Sequence, residues 1–288
     1  ALYAPTQGWN DPLGFAGISF PEAEVSIEFF DESGKLPFSS LYQDSTTFMV
    51  ILSDLGFDDY TATELVDKFQ DWVDEDDLVR LDGAENDYYL DAPIPYEPAN
   101  QPISSFRELA LIGGFREEFF DAYGRPTQLY DSFEALFSPV NESDVNINTA
   151  DPALFSLGED GMTFEQMPFW EFLMGDDGVR GTADDRYFSD TSQVPGSLKG
   201  AIPGVTVSNE MKWINIIIRA KRGLSVFELR ALISMSGEFP SNRNTDFGRF
   251  NREEPAFSIE DDSERLQEIS NLTYPFVVVE ILENEIVL

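Results

Sequence analysis

The period of the hydrophobic pattern changes twice along this 288-residue chain. From Ala23 to Phe30 apolar and polar residues alternate, which predicts a half-buried strand. From about Ser39 to Asp190 apolar residues recur at helical spacing, and after Gly200 the alternation returns, with a hairpin at residues 221–223. A doubly wound fold would alternate strand and helix throughout. The order therefore predicts an α+β fold in which a large α-helical insertion interrupts an antiparallel sheet.

The same pattern sets the predicted domain boundaries. Residues 1–38 and 196–288 contribute two segments of a sheet domain, and residues 39–195 form the inserted α-helical domain. A content of 42% hydrophobic residues is enough for a large core. The chain starts with Ala1 and contains no run of about 18 apolar residues. We interpret it as a processed or trimmed soluble part, from which a membrane helix is absent.

Helix start and stop signals divide the insertion. Thr61 and Glu64 have capping-box spacing, as do Ser105 and Glu108, so each pair predicts a helix start. Gly56 is placed to end the helix before it. Before the insertion, residues 31–35 are predicted to form a polar turn in which the glycine takes a positive φ.

Composition excludes several classes of function. The chain has 54 acidic and 18 basic residues, so its formal net charge of -36 repels nucleic-acid phosphates and anionic lipid headgroups and attracts cations. We therefore expect no nucleic-acid partner. Cysteine and histidine are both absent from the sequence, which rules out a structural zinc site of the usual kind, a cysteine nucleophile and a serine–histidine triad.

The first candidate metal site is the loop from Gly175 to Asp185, where two pairs of aspartates bracket two glycines. Calcium takes about 6 to 8 oxygen ligands, and glycines let carbonyl groups turn inward. The candidate ligands are Asp176, Asp177, Asp184 and Asp185. The spacing is not that of an EF-hand. A solvated acidic turn remains the alternative, and Arg180 and Arg186 favour it.

A second acidic cluster follows the helix that is predicted to end near Val73. Its candidate calcium ligands are Asp74, Asp76, Asp77 and Glu85. Acidic groups at a helix C-terminus oppose the helix dipole, so they require another source of stabilisation. Calcium would supply it, but backbone amides and water are the simpler alternative.

Carboxylates combined with aromatic rings are also typical of glycoside hydrolases. This chain offers many acidic residues and the rings of Trp72, Trp170, Tyr88 and Tyr89. In so acidic a chain, carboxylate pairs arise by chance, so their presence does not indicate an enzyme. An exported carbohydrate-binding or carbohydrate-cleaving domain is kept as the alternative function.

Several short motifs occur in an order that resembles the minor pseudopilin K family of bacterial type II secretion systems. They are Asp31-Glu32-Ser33-Gly34-Lys35-Leu36, Asp71-Trp72-Val73-Asp74, Gly83-Ala84-Glu85 with Tyr88-Tyr89, Tyr96, Ala99-Asn100, Pro102, Glu108-Leu109 and Asn146-Ile147-Asn148-Thr149-Ala150. One departure is Pro37-Phe38, where the family continues with asparagine. The resemblance covers residues 31–150 and is looser after residue 190.

The resemblance implies a pilin-like domain with a large helical insertion and no enzymatic activity. It further implies a place at the tip of the periplasmic pseudopilus, where the protein would help to initiate or cap assembly together with minor pseudopilins I and J. Members of the family bind calcium. They are anchored at the periplasmic face of the inner membrane by an N-terminal helix, which would precede Ala1 here.

Overall fold

The computed structural model describes residues 2–4, 7, 11–42, 44–142, 144–151, 154, 168–182, 184–194, 196, 205–236, 240 and 276–283. The α-helices in these residues are α1 (Pro12–Ala16), α2 (Ser45–Asp54), α3 (Asp59–Val73), α4 (Asn86–Leu90), α5 (Phe115–Phe119), α6 (Gln128–Leu136) and α7 (Pro168–Leu173). The strands are β1 (Glu24–Asp31), β2 (Leu36–Pro37), β3 (Phe137–Ser138), β4 (Asp144–Asn146), β5 (Thr206–Ser208), β6 (Trp213–Arg222), β7 (Ser225–Ser234) and β8 (Val277–Glu283). Short 3₁₀ helices cover Glu32–Gly34, Phe38–Leu41, Phe106–Leu111 and Thr191–Gln193.

The main sheet has the strand order β1-β6-β7-β8, and all of its neighbours are antiparallel. Strand β1 precedes helices α2 to α7, and its partner β6 follows them, with Ile27 opposite Ile218. The predicted hairpin is present: β6 and β7 meet at Gly223, whose φ of 61° is easily adopted only by glycine. The predicted α+β fold, with an antiparallel sheet interrupted by a helical insertion, is confirmed. The exact domain boundaries stay a prediction.

The core of the helical block, which comprises helices α2 to α7 and the short strands β3 and β4, is aromatic. Phe38 lies at its centre, is fully buried and contacts six other rings at centroid distances of 5.0–6.0 Å. These rings are Tyr42, Phe48, Phe69, Phe106, Phe133 and Phe137. Because they come from elements spread over a hundred residues of sequence, a single side chain joins most of the block.

Two short parallel strand pairs, which the sequence pattern did not indicate, connect the helical block to the chain segments that lead from β1 and into β6. Strand β2, which precedes the block, pairs with β3 inside it. Strand β4, also inside the block, pairs with β5 just before the hairpin. Both ends of the insertion are thus held by backbone hydrogen bonds as well as by side-chain packing.

The helix caps agree only in part with the sequence prediction. The start of α3 is capped by Asp58, whose carboxylate accepts hydrogen bonds from the amides of Tyr60 and Thr61, so the predicted capping box at Thr61 is wrong. Glu64 instead pairs with Lys68 one turn further on. The second capping box, at Ser105, is confirmed but opens a 3₁₀ helix. Gly56 follows α2 with a φ of 101°, as predicted.

The glycine of the turn after β1 has a different role from the predicted one. Gly34 does not have a positive φ; it lies in the 3₁₀ helix that follows β1. A Cβ atom there would lie 2.6 Å from the hydroxyl of Thr149. Asp31 bonds the same hydroxyl at 2.5 Å and the amide of Asn146 at 2.7 Å. Two motifs more than a hundred residues apart therefore meet at this junction.

No helix in the described ranges combines the length and the apolarity needed to cross a bilayer.

Candidate functional site

The acidic corner is the group Asp71, Asp74, Asp76, Asp77 and Glu85, at the end of α3 and in the loop after it. Its charge is partly neutralised by Arg80, whose guanidinium bonds Asp71 at 2.5 Å and Asp74 at 2.6 Å. Asp71 is completely buried and also accepts the backbone amide of Arg80 at 3.1 Å. A charge-assisted hydrogen bond from an arginine offsets part of the cost of burying a carboxylate. The sequence argument missed this partner, although Arg80 is the one basic residue between Asp71 and Glu85 in the sequence.

Close packing explains the glycine that precedes Ala84 and Glu85. A Cβ atom on Gly83 would lie 1.9 Å from a carboxylate oxygen of Asp71. The loop can therefore fold back over the end of α3 only with glycine at this position. This contact carries Glu85 over the buried end of the helix.

Glu85 is the exceptional group of the acidic corner. Its side chain is buried, and both carboxylate oxygens lack a hydrogen-bond partner. Burial, followed by the charges of Asp71 and Asp74, raises the pKa of Glu85 to about 7. One oxygen of Asp74 and the side-chain oxygen of Asn100 are also buried and unpartnered. Buried acceptors without donors are costly unless a proton or a cation reaches them.

The two outer aspartates of the corner have ordinary partners. Asp76 caps the turn by accepting the amide of Leu78 at 2.8 Å, and Asp77 accepts the side-chain amide of Asn86 at 2.9 Å. Both carboxylates are exposed to solvent. They contribute negative potential around Glu85 and require no ligand for their own stability.

The loop from Gly175 to Asp185 is folded mainly by its own hydrogen bonds. Gly178 and Gly181 have φ values of 69° and 91°, so they provide the tight curvature that the sequence predicts. Asp184 accepts the amides of Asp176 at 2.7 Å and Asp177 at 3.0 Å. Its other oxygen accepts the hydroxyl of Thr182 at 2.7 Å. These donors lower the pKa of Asp184 to about 2.

Asp177 accepts a hydrogen bond from the amide of Val179 at 2.7 Å, and the other two acids of this loop face arginines. Asp176 forms an ion pair with Arg186. Asp185 is buried, accepts the amide of Gly181 and lies 3.7 Å from Arg180, although its second oxygen has no partner. The loop thus has the hydrogen-bonded geometry of the solvated-turn alternative.

Across the part of the chain that the structure describes, no three acidic side chains converge closely enough to hold a metal ion as they stand. The predicted ligands therefore lie in two separate places, and neither set is gathered into a ready coordination shell. Of the two, the acidic corner has more unpartnered buried oxygens. The calcium site stays a prediction.

The aromatic residues considered for carbohydrate binding do not form one exposed platform. Trp72 and Tyr89 are buried and pack edge to face at a centroid distance of 5.2 Å. Tyr88 is half exposed, and the side chain of Trp170 lies outside the described residues. Buried rings cannot stack on a sugar, so two of the four candidates belong to the core.

The fold of this chain is similar to that of a protein of known structure. This fold resembles a chain in the crystal structure of the GspK-GspI-GspJ complex from the enterotoxigenic Escherichia coli type 2 secretion system, with a TM-score of 0.56 and 16% sequence identity. The similarity covers 93% of this chain and 82% of that one. At this level of identity, the comparison establishes the shared fold.

The sequence comparisons show similarity to one kind of protein. Residues 39–127 match the family described as type II secretion system (T2SS), protein K. Type II secretion system protein K of Pectobacterium carotovorum subsp. carotovorum is 27% identical over 195 residues, which is 66% of this chain and 56% of that protein. The Aeromonas hydrophila protein of that name is 36% identical over 106 residues, or 36% of this chain and 30% of that protein. The predicted resemblance to type II secretion protein K is confirmed, and the matches span about half of one relative and a third of the other.

Proposed function

We propose that this chain is the periplasmic part of a minor pseudopilin of the K type, a non-enzymatic structural component of the type II secretion pseudopilus. The proposal rests on one observation: the sequence match to protein K and the helical insertion lie in the same part of the chain. The stretch that matches the protein K family, residues 39–127, contains α2 to α5, which form the first part of the helical block that interrupts the sheet. Much of the part that distinguishes this fold from a plain sheet domain is therefore similar to protein K.

The insertion suggests how such a subunit would act. The helical block is joined by two parallel strand pairs to the segments that follow β1 and precede β6, so it is held as a bulky extension of the sheet domain. A subunit with this shape at the pseudopilus tip would hinder the addition of another subunit above it, which is a physical basis for capping. Its pilin-like sheet domain would meet minor pseudopilins I and J, and an N-terminal helix would anchor the whole protein at the periplasmic face of the inner membrane.

Reconstitution with the partner subunits tests this function. The chain is mixed with the soluble parts of pseudopilins I and J from the same organism, and the mixture is analysed by size-exclusion chromatography with light scattering. We expect a stable ternary complex, together with restored secretion when the full-length gene is returned to a strain lacking it. A chain that stays monomeric with both partners and fails to restore secretion would contradict the proposal.

We also propose that calcium stabilises the fold, with Glu85 and Asp74 of the acidic corner as the main ligands. Their unpartnered buried oxygens support this choice, because a hard cation would satisfy them and offset the charge that raises the pKa of Glu85. Bound calcium would supply only positive charge and a fixed arrangement of oxygens here. Asp184 is less suited, since both of its oxygens already accept hydrogen bonds.

Thermal unfolding with calcium or with chelator tests this second proposal. A ligand at 100 times its dissociation constant stabilises the native state by about 2.7 kcal/mol. For a chain of this size, that corresponds to a rise in melting temperature of roughly 5–10 °C. We expect Glu85→Gln to abolish the rise and Asp184→Asn to retain it, with the exposed Glu97→Gln as the matched control.

Each result has a defined meaning. If Asp184→Asn alone abolishes the calcium effect, the metal binds in the loop from Gly175 to Asp185 and the assignment to the acidic corner is wrong. If the wild-type melting temperature is the same in calcium and chelator, calcium stabilisation is refuted. The assembly with pseudopilins I and J is measured separately and is unaffected by either result.

A further inference from the structure

A groove on the helical block surrounds Tyr88. Three adjoining cavities share this side chain as a wall, with volumes of about 380, 510 and 320 Å³. The first lies against Pro93 and Leu111, the second against Val79, and the third against α3. We call the three together the Tyr88 groove.

The floor and edges of the Tyr88 groove and its flanking loops expose large apolar side chains. Within a stretch of 34 residues, these are Leu78 (76% exposed), Val79 (63%), Leu81 (94%), Tyr88 (50%), Leu90 (47%), Ile94 (80%) and Leu111 (45%). Val79, Tyr88 and Leu111 line the cavities themselves, and the other four lie in the adjoining chain. Single exposed apolar residues are normal, but this many around one groove favour a surface that is covered by a partner.

Tyr88 is held rigidly although half of it is exposed. Its ring packs edge to face on buried Tyr89 at 5.1 Å, and the ammonium group of Lys68 lies 5.1 Å from its centroid. A Cβ atom on Gly113 would come within 2.7 Å of the tyrosine hydroxyl, so the chain leaves this space for the ring. A fixed aromatic side chain loses little conformational entropy on binding, which is typical of interface hot spots.

The rim of the Tyr88 groove has a strong excess of acidic residues. Seven acidic residues line the three cavities, against two basic ones, Lys68 and Arg116. The acidic residues are Glu64, Asp77, Glu85, Asp87, Asp91, Glu117 and Glu118. Lys68 is itself paired with Glu64 at 2.5 Å. An occupant of the groove therefore meets the exposed apolar side chains of Val79, Tyr88 and Leu111 together with an excess of carboxylates.

We propose that the Tyr88 groove binds a cationic, amphipathic polypeptide segment of a partner protein. Apolar side chains of that segment would cover Val79, Tyr88 and Leu111, and its basic side chains would reach the carboxylates of the rim. The acidic rim supports a polypeptide over a bilayer, because anionic headgroups would be repelled. Complementary charge would direct the encounter, while the apolar contacts would supply most of the affinity.

Peptide binding to the intact chain tests the proposal. Three short synthetic peptides of equal length are labelled for fluorescence anisotropy: one of leucine and lysine, one of leucine and glutamate, and one of serine and lysine. We expect the leucine–lysine peptide to bind, more weakly at high salt but still measurably, and the other two to bind at least about tenfold more weakly. Equal binding of the serine–lysine peptide would show a general attraction to an acidic protein and would overturn the proposal.

A matched pair of substitutions locates the binding surface. Val79→Ser removes an apolar side chain from the groove, whereas Val226→Ser removes one with almost the same exposure, 61% against 63%, from strand β7. We expect Val79→Ser, and likewise Leu111→Ser, to weaken binding by roughly five- to tenfold. Val226→Ser should leave it unchanged. Equal losses from Val79→Ser and Val226→Ser would refute a site in the groove.

The charged rim and the membrane are tested with the same chain. The double variant Asp87→Asn with Asp91→Asn should weaken peptide binding and reduce its salt dependence, because both carboxylates line the groove. An unchanged salt dependence would contradict the role of the rim. Sedimentation with vesicles of anionic lipid should give no binding; vesicle binding that Val79→Ser abolishes would assign the groove to a lipid surface and overturn the polypeptide proposal.

Discussion

Replacing Phe38 by alanine tests how the helical block is held together. The side chain is 0% exposed, and six rings lie within 6.0 Å of its centroid. Removal of a buried phenylalanine costs about 3–5 kcal/mol, which includes the cavity that the surrounding groups cannot fill. Several of the lost ring contacts are edge-to-face pairs, each worth about 0.5–1.5 kcal/mol beyond area burial. The expected loss of unfolding free energy is therefore at the upper end of the range, about 5 kcal/mol.

The assay is urea and thermal unfolding of Phe38→Ala and of the control Phe15→Ala. For a domain of this size, about 5 kcal/mol corresponds to a fall in melting temperature of roughly 10–20 °C. Phe15 is 94% exposed, so its replacement should change stability by less than about 0.5 kcal/mol. A loss below about 1 kcal/mol for Phe38→Ala would refute the central role of this ring, as would equal losses for the two variants.

Three further predictions concern single contacts. Asp58→Ala should lower the free energy of unfolding, measured by chemical denaturation, by about 1 kcal/mol because it removes the cap of α3. Glu64→Gln should lower it by only about a few tenths of a kcal/mol. Comparable losses for the two variants would support the capping box that was predicted from the sequence. Gly34→Ala should cost about 1–3 kcal/mol because its Cβ would press on Thr149, and no loss beyond that of Gly196→Ala, which has open space, would contradict the close approach. Burial raises the pKa of Asp31 from 3.8 to about 6, so the folded state keeps this proton longer than the unfolded state does. The free energy of unfolding of the wild type relative to Asp31→Asn should therefore fall as the pH rises from about 4 to about 6, and it should stay level above pH 6. A rise between pH 4 and pH 6 would show that the hydrogen bonds to the carboxylate outweigh its desolvation.

The candidate site shows where sequence reasoning succeeds and where it stops. The crowding of acids at the end of α3 is visible in the sequence, and so is the need to neutralise them. The pairing of Asp71 with Arg80 is not visible, because the loop must first fold back over the helix end, which Gly83 permits. Nor does the sequence distinguish Glu85 from the exposed Asp76 and Asp77, since burial decides which carboxylate lacks a partner.

The sequence by itself determined the elements that depend on local periodicity. The strands β1, β6 and β7 and the apolar face of α3 appear where the hydrophobic pattern predicts them, because helices and strands orient their side chains with their own repeat. Burial alternates along most of β1, whereas in β6 and β7 the buried residues are concentrated towards one end of each strand. Motif order was also sufficient to indicate the relation to type II secretion protein K.

Only the tertiary structure decided the contacts that join distant segments. The parallel pairs β2–β3 and β4–β5 are too short to leave a periodic signal, and Gly34 has its role only because Thr149 packs against it. Likewise, Phe38 reads as a departure from the family motif but lies at the centre of the aromatic core. The physical reason is common to all of them: the energy of such a contact depends on which surfaces meet, and that is fixed by the packing of the whole chain rather than by its local pattern.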